Sequence, residues 1–214
     1  MSFLATSGIS NMNQHISPFR LNLYLILGTI AIHGLMMLAN ELFFMRAEFL
    51  NGIGWIYLPA GTRLVCTLLF GRAGAVGLLI TGWFACYWYY FPGDPLRATM
   101  GAIAGAVGPY LVYVIAQQKL GLRASLTNLT PKRLLICAAG CSIASPMFHH
   151  IWFAMHGDPY IASGLAVMFI GDLVGTLIVV YTAKGLLTFL PTSAGVRRET
   201  RDVLKFVAVT PLND

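Results

Sequence analysis

Charge is scarce in this chain. Only 10% of its 214 residues are Asp, Glu, Lys or Arg, and acids are the rarer sign, 8 against 14 bases. Soluble domains run near a quarter charged. With 57% of residues hydrophobic, a water-solvated globule of this length would have more apolar surface than it can hide, and lipid is the solvent that fits. Cysteine is also sparse. Cys66, Cys86, Cys137 and Cys141 lie inside apolar runs, without the loop spacing of a disulfide framework. Cys137 and Cys141, four apart on one helical face, read as polarisable packing residues. The first twenty residues lack the basic n-region of a cleavable signal. No phosphate-binding glycine loop, catalytic serine constellation or pair of catalytic carboxylates occurs in the apolar runs, so neither an enzyme nor a cofactor is expected. The net charge of +6 does not suggest a nucleic-acid partner, because the bases cluster in particular loops, as membrane topology demands.

What the sequence has in quantity is apolar length. A polar lead over 1–20 precedes a membrane bundle over 21–190, and a charged tail follows over 191–214. Within the bundle the expected spans are about 21–38, 53–70, 73–90, 100–116, 134–153 and 160–187, each near the length of a membrane crossing. The fold class is therefore all-α, a polytopic membrane bundle of about six transmembrane helices with both termini cytoplasmic. Gly71-Arg72 is read as a tight turn between the second and third spans, and Pro92-Gly93-Asp94-Pro95 as another. Counting from inside termini, every one of the 14 Lys and Arg except Arg46, Arg97 and Arg63 falls on the cytoplasmic side, a strong positive-inside asymmetry. The expected setting is the bacterial inner membrane.

Arg63 is the exception that needs a reason. It lies within a span, where an arginine costs about 2.5–3.5 kcal/mol on insertion scales and cannot shed its proton. Asp172, in Gly171-Asp172-Leu173-Val174-Gly175, is an acid inside another apolar run. Arg63 precedes Arg72 by roughly 13 Å of helix and Asp172 precedes Lys184 by roughly 18 Å, so the two charges share a depth. They are expected to form either a ligand site or a buried ion pair that locks helices. Pro59 and Gly61 strengthen the site reading, since a proline inside a helix frees a carbonyl, here near Trp55, and broken helices mark binding sites in transporters. Gly101 with Gly105, and Gly171 with Gly175, give small-residue faces for helix packing. His149, His150 and His156, with Asp158, are weak metal candidates whose spacing matches no zinc pattern. His33 reads as a hydrogen-bonded packing residue. Asn128-Leu129-Thr130 matches a glycosylation pattern but falls in a cytoplasmic loop.

Leu58-Pro-Ala-Gly61 and Leu68-Leu-Phe-Gly71 resemble the opening of the MASE1 family of bacterial integral-membrane sensory domains. Gly171-Asp172 and Gly175 resemble that family's closing glycine-aspartate motif. The resemblance runs from about Trp55 to Leu187 and implies a sensory role. Such domains are usually fused to a cytoplasmic signalling module and have more spans, so here a separate partner is expected to carry the signal. In size, span count and glycine-rich helices the chain also looks like the six-helix substrate-binding subunits of energy-coupling-factor vitamin transporters. The expected function is an inner-membrane sensory or ligand-binding domain for a small polar or anionic molecule, signalling through the loop over 117–133 or the tail. The alternatives are a transport component and a structural assembly subunit. The lipid bilayer is the expected surrounding in all three.

Overall fold

The structure is a computed structural model that describes residues 17–50, 53–157 and 161–189. The tail over 191–214 and nearly all of the expected lead lie outside the described residues. Five helices hold the chain: α1 (Pro18–Phe44), α2 (Pro59–Ala85), α3 (Pro95–Lys119), α4 (Pro131–Met155) and α5 (Ile161–Phe189). A 3-10 turn (Met45–Ala47) and two short strands, β1 (Glu48–Leu50) and β2 (Ile53–Gly54), join α1 to α2, and a π turn (Cys86–Tyr90) extends α2. All five helices are long and apolar enough to cross a membrane. The chain is a multi-pass membrane protein.

Most of these helices outrun their expected spans because a polar cap and a proline start them. Pro59, Pro95 and Pro131 stand at the first helical turn, where a missing N–H is harmless and the fixed φ already suits a helix. Asp94 Oδ1 accepts the Arg97 N–H at 2.9 Å and Thr130 Oγ1 that of Arg133 at 3.3 Å. α1 likewise opens at Pro18, with Ser17 Oγ accepting from Arg20. These caps add polar residues that an apolar-run reading leaves outside.

The expected spans 53–70 and 73–90 fall in one helical element interrupted at Gly71, where a turn was expected. They depart from the expectation in two ways. Residues 53–58 are not helical, and Pro59 begins the helix instead of kinking its middle. The only interruption inside the element is Gly71, at φ 53° and ψ −121°, a region open to glycine and closed to other L residues. A methyl group at Gly74 would overlap the Cys66 carbonyl. Eight residues of straight helix cover about 12 Å, so only a reversal at Gly71 brings those two positions together. α2 is thus a hairpin with a first arm over 59–70 and a second arm over 72–85. Contacts with α1 agree: a methyl at Gly77 would press on Thr29, and one at Gly34 would touch Thr81, while His33 reaches Thr62 on the first arm.

The stretch between the expected spans 21–38 and 53–70 is structured rather than a simple loop. α1 continues through it to Phe44, and the antiparallel pair β1–β2 follows, with Glu48 opposite Gly54 and Leu50 opposite Ile53. The extended stretch 53–58 then lies along α5. Its backbone is satisfied by protein: Trp55 N–H bonds Ala47 O at 2.9 Å, Tyr57 N–H bonds Gly171 O at 3.1 Å, and Leu58 N–H bonds the Asn40 side-chain oxygen at 2.9 Å. Non-helical backbone persists at membrane depth only on such terms.

The core has apolar layers with a polar belt between them. Leu64, Leu68, Ala116, Leu122, Cys137, Ala138 and Cys141 pack near the Gly71 end. Met37, Cys86, Tyr90 and Ala98, and separately Ile53, Phe153, Val167 and Met168, pack toward the strand end. Only 17% of the apolar window of α1 is buried, against 44% for α2 and α3. α1 is therefore the peripheral helix, showing Leu23, Leu27, Leu35, Leu38 and Leu42 to lipid.

Candidate functional site

Arg63 lies one turn into the first arm and is 8% exposed. Its Nη2 donates to the Tyr57 hydroxyl at 3.2 Å and its Nη1 to Ser145 Oγ of α4 at 3.4 Å. The guanidinium also lies over the Tyr57 ring, 5.0 Å from the centroid. The main chain of α3 comes in from the other side: a methyl at Gly105 would stand 3.2 Å from Nη2 and 3.3 Å from Cζ. Gly105 therefore makes room for a guanidinium rather than for another helix. Gly101 likewise faces side chains, Cys86, His149 and Phe91. The helix-to-helix approach on α3 falls instead to Gly108, against the Ser145 backbone of α4.

Asp172 is 2% exposed on α5 and its Oδ1 has no hydrogen-bond partner. Arg63 spends its bonds on Tyr57 and Ser145, not on this carboxylate. The two charges interact across the site, and Tyr57 and Cys141 also sense Asp172. Thr176, one turn further along α5, is fully buried with its hydroxyl likewise unpartnered. The glycines flanking Asp172 do pack closely, but on an extended chain: methyl groups at Gly171 and Gly175 would overlap the carbonyls of Gly54 and Tyr57. Gly61 continues the seam against Val179.

Arg63 borders a cavity of about 40 Å³ that Tyr57, His33, His149, Tyr90 and Gly105 also line. That is room for a few waters or one small molecule. Thr62 Oγ1 donates to Pro59 O at 2.8 Å and stands 2.7 Å from His33 Nδ1. With its proton committed to the carbonyl, the hydroxyl accepts from His33, which therefore carries its proton on Nδ1. His149 Nε2 is buried with no partner. A guanidinium has more donors than the two that Tyr57 and Ser145 occupy, so the cavity wall combines spare positive donors with two imidazoles.

The three histidines weighed for a metal do not converge. His149 faces the cavity, His150 Nδ1 bonds Pro146 O at 2.9 Å, and the exposed His156 bonds Trp152 O at 2.9 Å. Among the described residues no group of three His, Cys, Asp or Glu is arranged to hold a metal ion. Asp158 lies outside the described residues.

Sequence reasoning missed Tyr57, Ser145, Asn40, Glu41 and Tyr90. A second hollow of about 20 Å³, lined by Asn40, Glu41 and Glu48, shares Ile53, Tyr57 and Tyr90 with the cavity. Tyr89 and Tyr90 donate to the two Glu41 oxygens at 3.0 and 3.1 Å, and Tyr90 and Tyr57 both line the cavity. Polar groups thus extend from Glu41 by way of the cavity wall to Arg63. Two prolines were the available signal for the α3 and α4 walls. Pro109 and Pro146 stand inside those helices, and each withholds the N–H that would pair with the carbonyl four residues earlier, at Gly105 and Ser142. Asn128 is used internally, accepting the Arg123 N–H and donating to Gly121 O at 2.7 Å.

No protein family, curated protein or solved structure matches this chain.

Proposed function

We propose that the protein is a membrane receptor subunit for a small planar oxyanion, held by Arg63 in the cavity between the α2 hairpin, α3 and α4. The observation that carries this is a buried guanidinium without a carboxylate on it, bordering a cavity with donors to spare. A planar guanidinium matches a planar oxyanion bidentately. In hydrocarbon such a residue marks a functional site by default. The reading keeps six crossings, with the two arms of α2 counted separately. The first arm, about 18 Å long, relies on the extended stretch 53–58 for the rest of its depth. The positive-inside pattern puts Arg72 and the loop over 120–130 in the cytoplasm and the Glu41–Tyr90 end outside. A bacterial inner membrane and a separate signalling partner, as the MASE1 resemblance implies, belong to this same reading.

The apolar layer of Leu64, Leu68, Cys137 and Cys141 lies between the cavity and the Gly71 end, which favours a binding domain over an open pore. Formate is a suitable probe. Isothermal titration of the full chain in detergent should show saturable formate binding, lost in Arg63→Gln and weakened in Arg63→Lys, with both variants keeping the wild-type helical circular dichroism. Binding that survives Arg63→Gln sinks the proposal. Proteoliposomes that accumulate labelled formate would move the reading from receptor to transporter.

A further inference from the structure

Among the described acids, Glu41, Glu48 and Asp94 lie at helix ends or in connections, and Asp172 alone lies in the middle of a membrane helix. It stands outside the cavity lining, has no hydrogen bond on Oδ1, and sits near Arg63 without contacting it. Among the described residues the interior therefore holds one buried cation, Arg63, and one buried carboxylate that is not hydrogen-bonded to it. An anion that binds Arg63 adds a second negative charge to the same dry interior. A low-dielectric site resists that surplus, and the carboxylate is the group that can remove it by taking a proton.

We infer that oxyanion binding at Arg63 is coupled to protonation of Asp172, so that the protein takes up its ligand together with a proton. This rests on the reading of Arg63 as the anion site. The balance is simple. The carboxylate of the ligand pairs with the guanidinium, an O–H bond forms on the Asp172 carboxylate, and solvent supplies the proton. The net species bound is a neutral acid held as two separated parts. The unpartnered Thr176 hydroxyl, one turn from Asp172 on the same helix face, is the local group able to accept from the new O–H.

The other groups that could take the proton are identifiable. Around Asp172 these are Arg63, Tyr57 of the extended stretch and Cys141 of α4. On the cavity they are His33 of α1 and His149 of α4, the latter also facing Arg97 of α3. A histidine would be the rival acceptor, since protonating it neutralises the surplus equally well. Its disadvantage is position: both imidazoles share the cavity with the Arg63 cation, which opposes a second positive charge there.

Formate titration calorimetry of the full chain, run in two buffers of different ionisation heat, reads the protons taken up per formate bound. Uptake should approach about one, and formate affinity should fall by up to about tenfold per pH unit where Asp172 is ionised. In Asp172→Asn, which mimics the protonated acid, uptake should vanish and affinity should become flat with pH. In His149→Gln and His33→Gln the uptake per formate bound should persist. Infrared difference spectra of the unsubstituted protein give a readout that needs no variant: labelled formate should raise the carbonyl band of a protonated carboxyl. Formate binding without proton uptake, uptake that survives Asp172→Asn, or no new carboxyl band overturns the coupling while leaving the anion site standing. Absence of formate binding overturns both.

Discussion

Arg63 shows how a charge survives inside a membrane protein. Its donors meet a tyrosine hydroxyl, a serine hydroxyl and an aromatic face, none of which carries a formal charge. Such partners hold the guanidinium in place yet leave its charge uncompensated on contact, which is what an anion site requires. Gly105 sets how far the group can sit toward α3. A methyl there would meet the far end of the flexible Arg63 side chain rather than backbone, so the bundle should tolerate Gly105→Ala while the guanidinium shifts by a few tenths of an ångström. We expect formate affinity to drop about tenfold, roughly 1.4 kcal/mol, with little change in thermal stability. Equal affinity in the variant and the parent, measured by the same titration, would show that the guanidinium position is not what the ligand reads.

Elements here are joined by backbone as much as by side chains. The stretch 53–58 lies directly on α5 because Gly171 and Gly175 present no Cβ, and its N–H groups find Gly171 O and Asn40. The obstacle at each glycine is a carbonyl of the facing chain, which cannot rotate away. Gly171→Ala and Gly175→Ala should each cost upward of about 3 kcal/mol, in the range reserved for overpacking and broken backbone contacts. Gly28→Ala on the peripheral α1, where an added methyl meets nothing within 4 Å, should instead be neutral or stabilise by up to about 1 kcal/mol. Thermal unfolding in detergent separates the two classes. A Gly171→Ala protein as stable as the parent would mean that the extended stretch is not seated on α5. The seam also explains why the pair of glycines around Asp172 looked like a helix-packing motif. Small residues four apart admit any close backbone, and the sequence does not say whether that backbone is helical.

For the whole molecule, the reversal at Gly71 fixes the topology. With α2 folded back, the strand end of the bundle and the loop over 120–130 stand at opposite ends. The four cysteines are buried, so single cysteines placed at the surface report without background. Glu48→Cys should react with a membrane-impermeant thiol reagent from outside intact cells, and Ala124→Cys only after the membrane is opened. Labelling of both from one side would mean that α2 crosses once.

The composition alone determined that the chain lives in lipid. A sequence this poor in charge has no other solvent, and the apolar runs with their proline and acid punctuation put the helices close to where they lie. Arg63 and Asp172 were legible as the two charges of interest for the same reason: hydrocarbon makes every buried charge conspicuous. The tertiary structure decided what those charges touch. The turn at Gly71 was legible as a glycine signal, but pairing also depends on which face each residue takes once the stretch 53–58 leaves the helical path, and that departure has no periodic signal. Only in three dimensions do Tyr57 and Ser145, and not Asp172, take the hydrogen bonds of Arg63, leaving a guanidinium at a cavity and a separate acid whose Oδ1 has no hydrogen bond.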